Sequence, residues 1–411
     1  MKGRTVLPKL RAVETHWVRH NGQPALLLRD RLGLSDRVVV VPQQLVPLLG
    51  LCDGTRDARA LQVAFQLRTG LVISSGNLEG ILAQLDEALL LEGPRLETSK
   101  AAALEDYRQA PYRPPSLAGS GYPAEPDALA RVLNGYVEQV EPANSLERNG
   151  HRVPRGIICP HIDYQRGAAV YAQTWRRARQ AALEADLVVV FGTDHNAGGS
   201  LLTLTRQSYA TPWGTLPTSL AVIDAVAEAL GHDKAFATEL HHRAEHSIEL
   251  AAIWLHHALD GQPRELVPIL CGSFEPFTGG NQDPAQDPLI RSCLAALRGA
   301  ARGRRLLAIA AADLAHVGPA FGDSLRYGPA ERSALARHDE RMLETVCAGS
   351  ADRFFQLLKE ENDQLRVCGL PPIYMMLRLL GECQGEIVTY AQCPADQEGA
   401  SIVSIAGAVL Y

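Results

Sequence analysis

Four short clusters in this sequence combine side chains that bind metals or move protons. They are Pro160-His161-Ile162-Asp163, Gly192-Thr193-Asp194-His195-Asn196, Asp313-Leu314-Ala315-His316-Val317-Gly318 and Val367-Cys368-Gly369-Leu370-Pro371-Pro372. The first three each follow an apolar run that reads as a buried strand, and the fourth precedes a helix. In an α/β protein, a strand ending this way delivers reactive side chains to the carboxyl edge of the sheet, where ligands bind. One histidine after a strand is usually a hydrogen-bonded capping group. The repeated placement at His161, His195 and His316 argues for a shared site, and His161 is read as one ligand of a metal. Imidazole and thiolate suit iron, copper and zinc, whereas hard ions select carboxylates.

A further set, His241, His242, Glu245, His246 and Glu249, stands at the start of a predicted helix, where Glu245 and Glu249 at i and i+4 share a face. The string is not HExxH, so a zinc-protease reading fails at its first residue. Neither GxSxG nor a P-loop is present. His256, His257 and His338 are read as solvated groups on surface helices. His16, His20, His151 and His232 have no companion cluster and receive no role.

The elements that must position these groups follow from hydrophobic periodicity. From residue 156 the chain alternates strands and helices. Strands are expected at 156–160, 186–191, 201–205, 265–270, 305–311, 385–391 and 402–410. Helices are expected at 167–183, 218–230, 246–258, 285–300, 329–347, 351–359 and 371–380. The run Leu187-Val188-Val189-Val190-Phe191 has the continuous apolar character of a strand covered on both faces. The last two strands follow each other without a helix, which makes the sheet mixed. The fold class is therefore α/β: a three-layer domain with a largely buried mixed sheet flanked by helices. A small α+β unit precedes it at 1–97, with strands at 25–28 and 38–41, a helix carrying Leu61, Ala64 and Phe65, a strand at 71–73, and a second helix capped by Asn77. Residues 98–112 read as a linker, and 113–411 as the α/β domain, opening with a helix that carries Leu129, Leu133 and Tyr136 before a polar loop at 144–149.

The 411 residues, 46% hydrophobic and 21% charged, suit a globular protein of two domains. A net charge of −6 speaks against nucleic-acid or anionic-membrane binding. The basic amino terminus lacks the apolar core of a signal peptide, and no stretch approaches the ~20 apolar residues that span a bilayer. Eight scattered cysteines without a CxxC pair read as reduced cytoplasmic thiols.

The clusters, taken in order, resemble the Memo family, which is similar in fold to the class III extradiol ring-cleaving dioxygenases. The matching strings are RPPSLAGSGYP (113–123), PHIDYQRGAAVYA (160–172), GTDHNAG (192–198), TPWGTLP (211–217), EHSIEL (245–250), VPIL (267–270), ADLAHVG (312–318) and CGLPPI (368–373). The resemblance spans 113–411 and leaves the first ~110 residues outside. That leading part resembles, through LCDGTRDARAL and ALLLEGP, the winged-helix-like PqqD modules that hold peptides.

The Memo resemblance implies that His161, His195 and Cys368 hold one metal ion, Fe(II) or copper, with zinc a third candidate. It implies that His316 acts as acid/base with Asp313 beside it, and that Glu245 and His246 line the same pocket. Cys368 stands where the dioxygenases place a carboxylate, and a softer thiolate favours copper or a redox role. The family's PHAGY-like string is here His161-Ile162-Asp163-Tyr164, and Thr193-Asp194 replaces its common Pro-Ser pair. Asp163 and Asp194 are therefore candidates for extra ligands or for orienting the histidines, with Tyr164 nearby. Three functions follow: an oxidoreductase acting on a small phenolic or peptide-borne group; a non-catalytic metal- or peptide-binding protein working with a radical-SAM partner through residues 1–97; or a metal-dependent hydrolase.

Overall fold

A computed structural model describes residues 7–140, 152–196 and 198–411. The expectations placed on the extreme amino terminus, on 144–149 and on His151 lie outside the described residues. The chain divides into two compact units, Met1–Gln109 and Ala110–Tyr411.

The first unit is α+β. Its strands Glu14–His20, Gln23–Arg29 and Val39–Pro42 form an antiparallel sheet, followed by helices Ala58–Thr69, Ser75–Glu87 and Pro94–Gln109. Leu28, Val41, Leu85 and Leu90 close one core beneath the sheet, while Leu61, Phe65 and Leu78 close another between helices. Gly70 ends the first of these helices at φ 74°, a left-handed position that glycine occupies without strain.

Three expectations for this unit change. Residues 98–109 are not linker but most of helix Pro94–Gln109, which buries Leu96 and Tyr107. A segment rich in Ala, Glu, Lys and Arg has high helix propensity even when too polar to show a stripe. Ser74, not Asn77, caps the second helix, its hydroxyl accepting from the Asn77 N–H at 3.2 Å. Residues 71–73 join no strand, and the Ile73 carbonyl accepts instead from Gln62 Nε2 at 2.6 Å.

In the second unit the sheet order is His316–Val317, Ile402–Leu410, Gly156–Cys159, Leu306–Ala311, Leu187–Thr193, Leu266–Cys271, Leu202–Leu204, with Gly385–Pro394 also paired to Ile402–Leu410. The strands Gly156–Cys159, Leu306–Ala311, Leu187–Thr193 and Leu266–Cys271 run parallel, and the outer pairings are antiparallel, so the sheet is mixed as expected. Side chains alternate across it with period two. Ile158, Val189, Phe191 and Ala310 join helices Leu220–Leu230, Pro288–Ala300 and Leu370–Leu380 in one core. Ile157, Val188, Val190 and Ile309 join helices Pro126–Gln139, Tyr164–Glu184 and Ser247–Ala258 in the other. Burial on both faces explains why these strands read as continuous apolar runs.

Two histidines expected in solvent are held inside. His256 is 1% exposed and its Nδ1 meets Thr211 Oγ1 at 2.7 Å. His338 is bonded to Glu361. Helical periodicity alone could not expose this, because the small Tyr209–Thr211 and Gly214–Leu216 hairpin that supplies Thr211 was too short to predict.

Candidate metal centre

Three neighbouring parallel strands end at the same edge, and each releases one functional residue there. Gly156–Cys159 leads through Pro160 to His161, Leu187–Thr193 to His195, and the strand between them, Leu306–Ala311, to Asp313. The helix over one face, Ser247–Ala258, starts at this edge and brings Glu245 and His246. The helix over the other face, Leu370–Leu380, starts there too and brings Cys368. Two glycines let these helix ends approach. A Cβ on Gly192 would meet Ile248 Cγ1 at 2.5 Å, and one on Gly369 would meet the Asp313 carbonyl at 2.4 Å.

The ligand atoms of His161, His195 and Cys368 all lie within 4.8 Å of one another, with Cys368 Sγ 3.3 Å from His161 Nε2. Each imidazole is braced from behind. His161 Nδ1 donates to the Ala311 carbonyl at 2.9 Å, which leaves Nε2 as the ring nitrogen facing Cys368. His195 Nδ1 donates to Glu245 Oε1 at 3.0 Å, and its backbone N–H to Glu245 Oε2 at 2.9 Å. A carboxylate or carbonyl behind a histidine is the usual outer support of a metal ligand.

Asp313 is a scaffold for this arrangement. Its Oδ1 accepts the backbone N–H of His161 at 2.8 Å and of Ile162 at 3.2 Å, and its own carbonyl accepts from Gly369 N at 2.9 Å. It thereby ties the His161 loop to the Cys368 segment. Glu245 is 3% exposed and also accepts the N–H groups of His246 at 2.8 Å and Ser247 at 3.0 Å. His246 stacks on His195 with centroids 4.9 Å apart and an interplanar angle of 12°, its side chain 38% exposed, and forms a second potential ligand group with His195 and Glu245. His316 is half-buried, donates from Nδ1 to the Leu314 carbonyl at 3.1 Å, and packs edge-on against Phe321.

The electrostatics follow from these contacts. Burial pushes the Cys368 thiol up, but His161 and His316, together with hydrogen bonds from His161 and His195, outweigh it and hold it down at about 5. Burial works against charge on His161, yet Asp313 and the Cys368 sulfur raise it to about 9. Burial opposes ionisation of Glu245 too, but His195 and His246 hold its carboxyl well below the ordinary range. Burial, opposed by Glu245 and assisted by His195 and His161, lowers His246 to about 4. The edge thus sets a Cys368 thiolate beside imidazoles held above their ordinary range, whose inward protons a borderline or soft metal would displace on binding. A cavity of about 360 Å³ opens beside His195 and Cys368, with Phe274, Leu370, Pro371 and Asp363 among its walls.

Three residues expected around the metal have other work. Asp163 caps helix Tyr164–Glu184, accepting from the Arg166 N–H at 3.0 Å and pairing with Arg166 Nε at 2.5 Å, with 41% of its side chain exposed. Asp194 holds His241 Nδ1 at 2.7 Å and not His195. Tyr164 donates to the Leu250 carbonyl at 2.9 Å and packs against Tyr122, Tyr171 and Trp254 in the core. Asp163→Ala is accordingly expected to cost about 1 kcal/mol, the ordinary value of a lost cap, and to leave metal stoichiometry by elemental analysis unchanged. Glu245→Gln is expected to weaken metal binding by about 10- to 100-fold, measured by chelator competition.

Sequence reasoning also passed over Arg113, which has no exposed surface. It donates to the His242 carbonyl at 2.9 Å and the Glu245 carbonyl at 2.8 Å, and forms an ion pair with Glu249. Glu249 also accepts from Ser116 N and Leu117 N, each at 2.9 Å, and from Tyr122 Oη at 2.5 Å. The strings RPPSLAGSGYP and EHSIEL are thus two halves of one buried lock behind Glu245. The available signal was a lone arginine before two prolines and a glutamate one helical turn past Glu245.

The fold and the edge cluster define an α/β protein with side-chain groups that could hold a metal ion at the carboxyl ends of its central strands. The family model for Memo-like protein matches residues 113–409, and the chain belongs to that family. A MEMO1 family protein of Aquifex aeolicus is 27% identical over 94% of this chain and 96% of its own length. Relatives of the same description in Methanosarcina barkeri and Thermus thermophilus are 29% and 26% identical over 68% and 79% of this chain, covering 92% and 90% of their own lengths.

Proposed function

We propose that this protein is a metal-dependent oxidoreductase in which His161, His195 and Cys368 hold Fe(II) or copper beside a pocket for a small phenolic or peptide-borne group. The observation that carries the reading is the convergence of these three donors within 4.8 Å, both imidazoles braced so that one nitrogen faces inward. Bound there, such a metal would supply O₂ activation and electron transfer to the substrate. The chain's own groups do the rest. Phe274, Leu370 and Pro371 give the apolar wall that would seat a ring. His316, on the Cys368 side, is the group proposed to take a proton from a hydroxyl, while His246, lowered to about 4, stays neutral as it stacks on His195. Glu245 and Asp313 keep the two sides of the site in register. Metal-free protein reconstituted anaerobically with Fe(II) or Cu(I) is expected to consume O₂ with members of a catechol panel. Absence of consumption across the panel would sink the oxidoreductase reading, and turnover without O₂ would replace it with metal-assisted hydrolysis.

A second reading has an observation of its own. The first unit carries a groove of about 550 Å³ lined by Phe65, Leu71, Val72 and Ile73, with Val72 77% exposed. Such a surface suits recruitment of a peptide or of a radical-SAM partner, which would make the chain a metal-binding interaction protein. Pull-down from native cells with the full chain and its Val72→Asp variant tests this, and identical partner lists would count against it. Among the described residues no helix is long and apolar enough to cross a membrane. With eight free cysteines, a cytoplasmic setting is the reading we adopt.

A further inference from the structure

The segment that delivers Cys368 is conformationally expensive. Asn362, Asp363 and Arg366 adopt φ of 50°, 47° and 53°. Asn and Asp tolerate the left-handed region, but arginine gains nothing there. A residue such as Arg366 persists there only where its surroundings over-determine it. Downstream, the ties are plain. Val367 N donates to Asp363 Oδ1 at 2.9 Å, Arg366 pairs with Asp323 at 2.5 Å, and His316 N donates to the Leu365 carbonyl at 2.8 Å. Thr193 Oγ1 donates to the Cys368 carbonyl at 3.0 Å.

The upstream end is tied by a partly buried charge cluster outside the candidate metal site. Glu361 caps helix Ala351–Glu360 and opens the segment. Its Oε2 lies 2.7 Å from Nε2 of His338, on helix Pro329–Cys347. His338 Nδ1 lies 3.5 Å from Asp339 Oδ1. Asp339 has no exposed surface. Its Oδ2 accepts from Tyr390 Oη at 2.8 Å on strand Gly385–Pro394, while among the described residues neither its Oδ1 nor the His338 Nδ1 facing it makes a hydrogen bond, so the two meet as an ion pair. A carboxylate oxygen buried in this way is tolerable beside a cation and costly beside a neutral ring.

We propose that His338, as an imidazolium set between Asp339 and Glu361, is a positioning residue that anchors the Cys368 segment and so governs how tightly the thiolate side of the metal site holds its ion. The inference rests on the metal reading of His161, His195 and Cys368. The groups facing His338 are Asp339 on its own helix and Glu361 from the neighbouring one, with Tyr390 behind Asp339. The Asp339 carboxylate first, and Glu361 after the opposing pull of burial, hold the imidazole above its ordinary value. A raised histidine contributes fully below its ordinary value near ~6.5 and loses that contribution as pH rises through the raised one. Proton competition at metal ligands has the opposite sign, since it fades as pH rises. The two effects are therefore separable.

The test uses the full chain, stripped of metal and titrated with Co(II) against a chelator, with the thiolate-to-Co(II) absorption band as the readout and deuterium exchange over residues 361–369 as a second. His338→Gln and Glu361→Gln are expected to lower Co(II) affinity about tenfold, the low end for an outer support, to perturb the thiolate band, and to speed exchange. His338→Lys, which keeps a cation against Glu361, is expected to recover most of the loss. The alkaline fall in wild-type affinity is expected to vanish in His338→Gln. Unchanged affinity, band and exchange overturn the proposal, as does a lowered melting temperature with an unchanged band. If His338→Gln fails to fold, Glu361→Gln, with its half-exposed side chain, decides on the same readouts. A wild-type protein without any thiolate band overturns the metal reading instead. The anchor is then judged by exchange and by the alkylation rate of Cys368, and no change in either in Glu361→Gln overturns it.

Discussion

Cys368→Ser is expected to cut the metal content of protein purified from its own cells to roughly a tenth of wild type or less. Loss of an outer support costs about 10- to 100-fold in affinity, and loss of a direct ligand costs more. Serine keeps the size of the side chain but offers a hydroxyl that stays protonated, where the thiol is held at about 5 by His161, His316 and their companions against the effect of burial. The variant should fold, because the segment around position 368 is fixed by hydrogen bonds from the Thr193 hydroxyl to the Cys368 carbonyl and from Gly369 N to the Asp313 carbonyl, neither of which uses the sulfur. A soft metal should be lost more completely than a hard one. Elemental analysis of both proteins checks this, and unchanged metal content removes Cys368 from the ligand set.

Arg113→Ala is expected to cost about 3–5 kcal/mol, the range for breaking one side of a buried ion pair. The guanidinium is wholly buried, Glu249 is 1% exposed, and the substitution strands both that carboxylate and the carbonyls of His242 and Glu245. Urea unfolding followed by tryptophan emission reports it well, since Trp175, Trp213 and Trp254 all sit in the second unit. A replacement that removes both charges, Arg113→Met with Glu249→Gln, should cost less than Arg113→Ala alone, because no uncompensated carboxylate remains. The same lock holds the turn that presents Glu245 to His195, so weaker metal binding should accompany the loss of stability. A change below about 1 kcal/mol would show that the pair is dispensable.

These two residues divide what periodicity can and cannot reach. Cys368 is legible as a candidate because it stands just ahead of a predicted helix in a string that matches a known family, and the structure brings it within 4.8 Å of His161 and His195. Arg113 stands in such a string too, but its role is not legible there, because its partners His242, Glu245 and Glu249 lie 129 to 136 residues away. Asp163 and Asp194 are candidates beside the metal site only because they adjoin His161 and His195 in sequence. Adjacency misled: the side chain next to a ligand along a strand or at a helix start points elsewhere, and capping claimed Asp163 while His241 claimed Asp194.

The sequence by itself determined the alternation of strands and helices in the second unit, the mixed sheet and the strand end that bears His161. These are local properties, written in apolar runs a few residues long and in the prolines and glycines that stop them. Only the tertiary structure decided which groups meet. Glu245 reaches His195 across 50 residues and Cys368 reaches His161 across 207. Those meetings depend on helices from opposite faces of the sheet starting at the same edge. Gly192 and Gly369 permit the close approach, and buried contacts such as Asp313 to His161 and Arg113 to Glu249 fix it. Such pairings are set by packing of layers, which leaves no period in the chain to read.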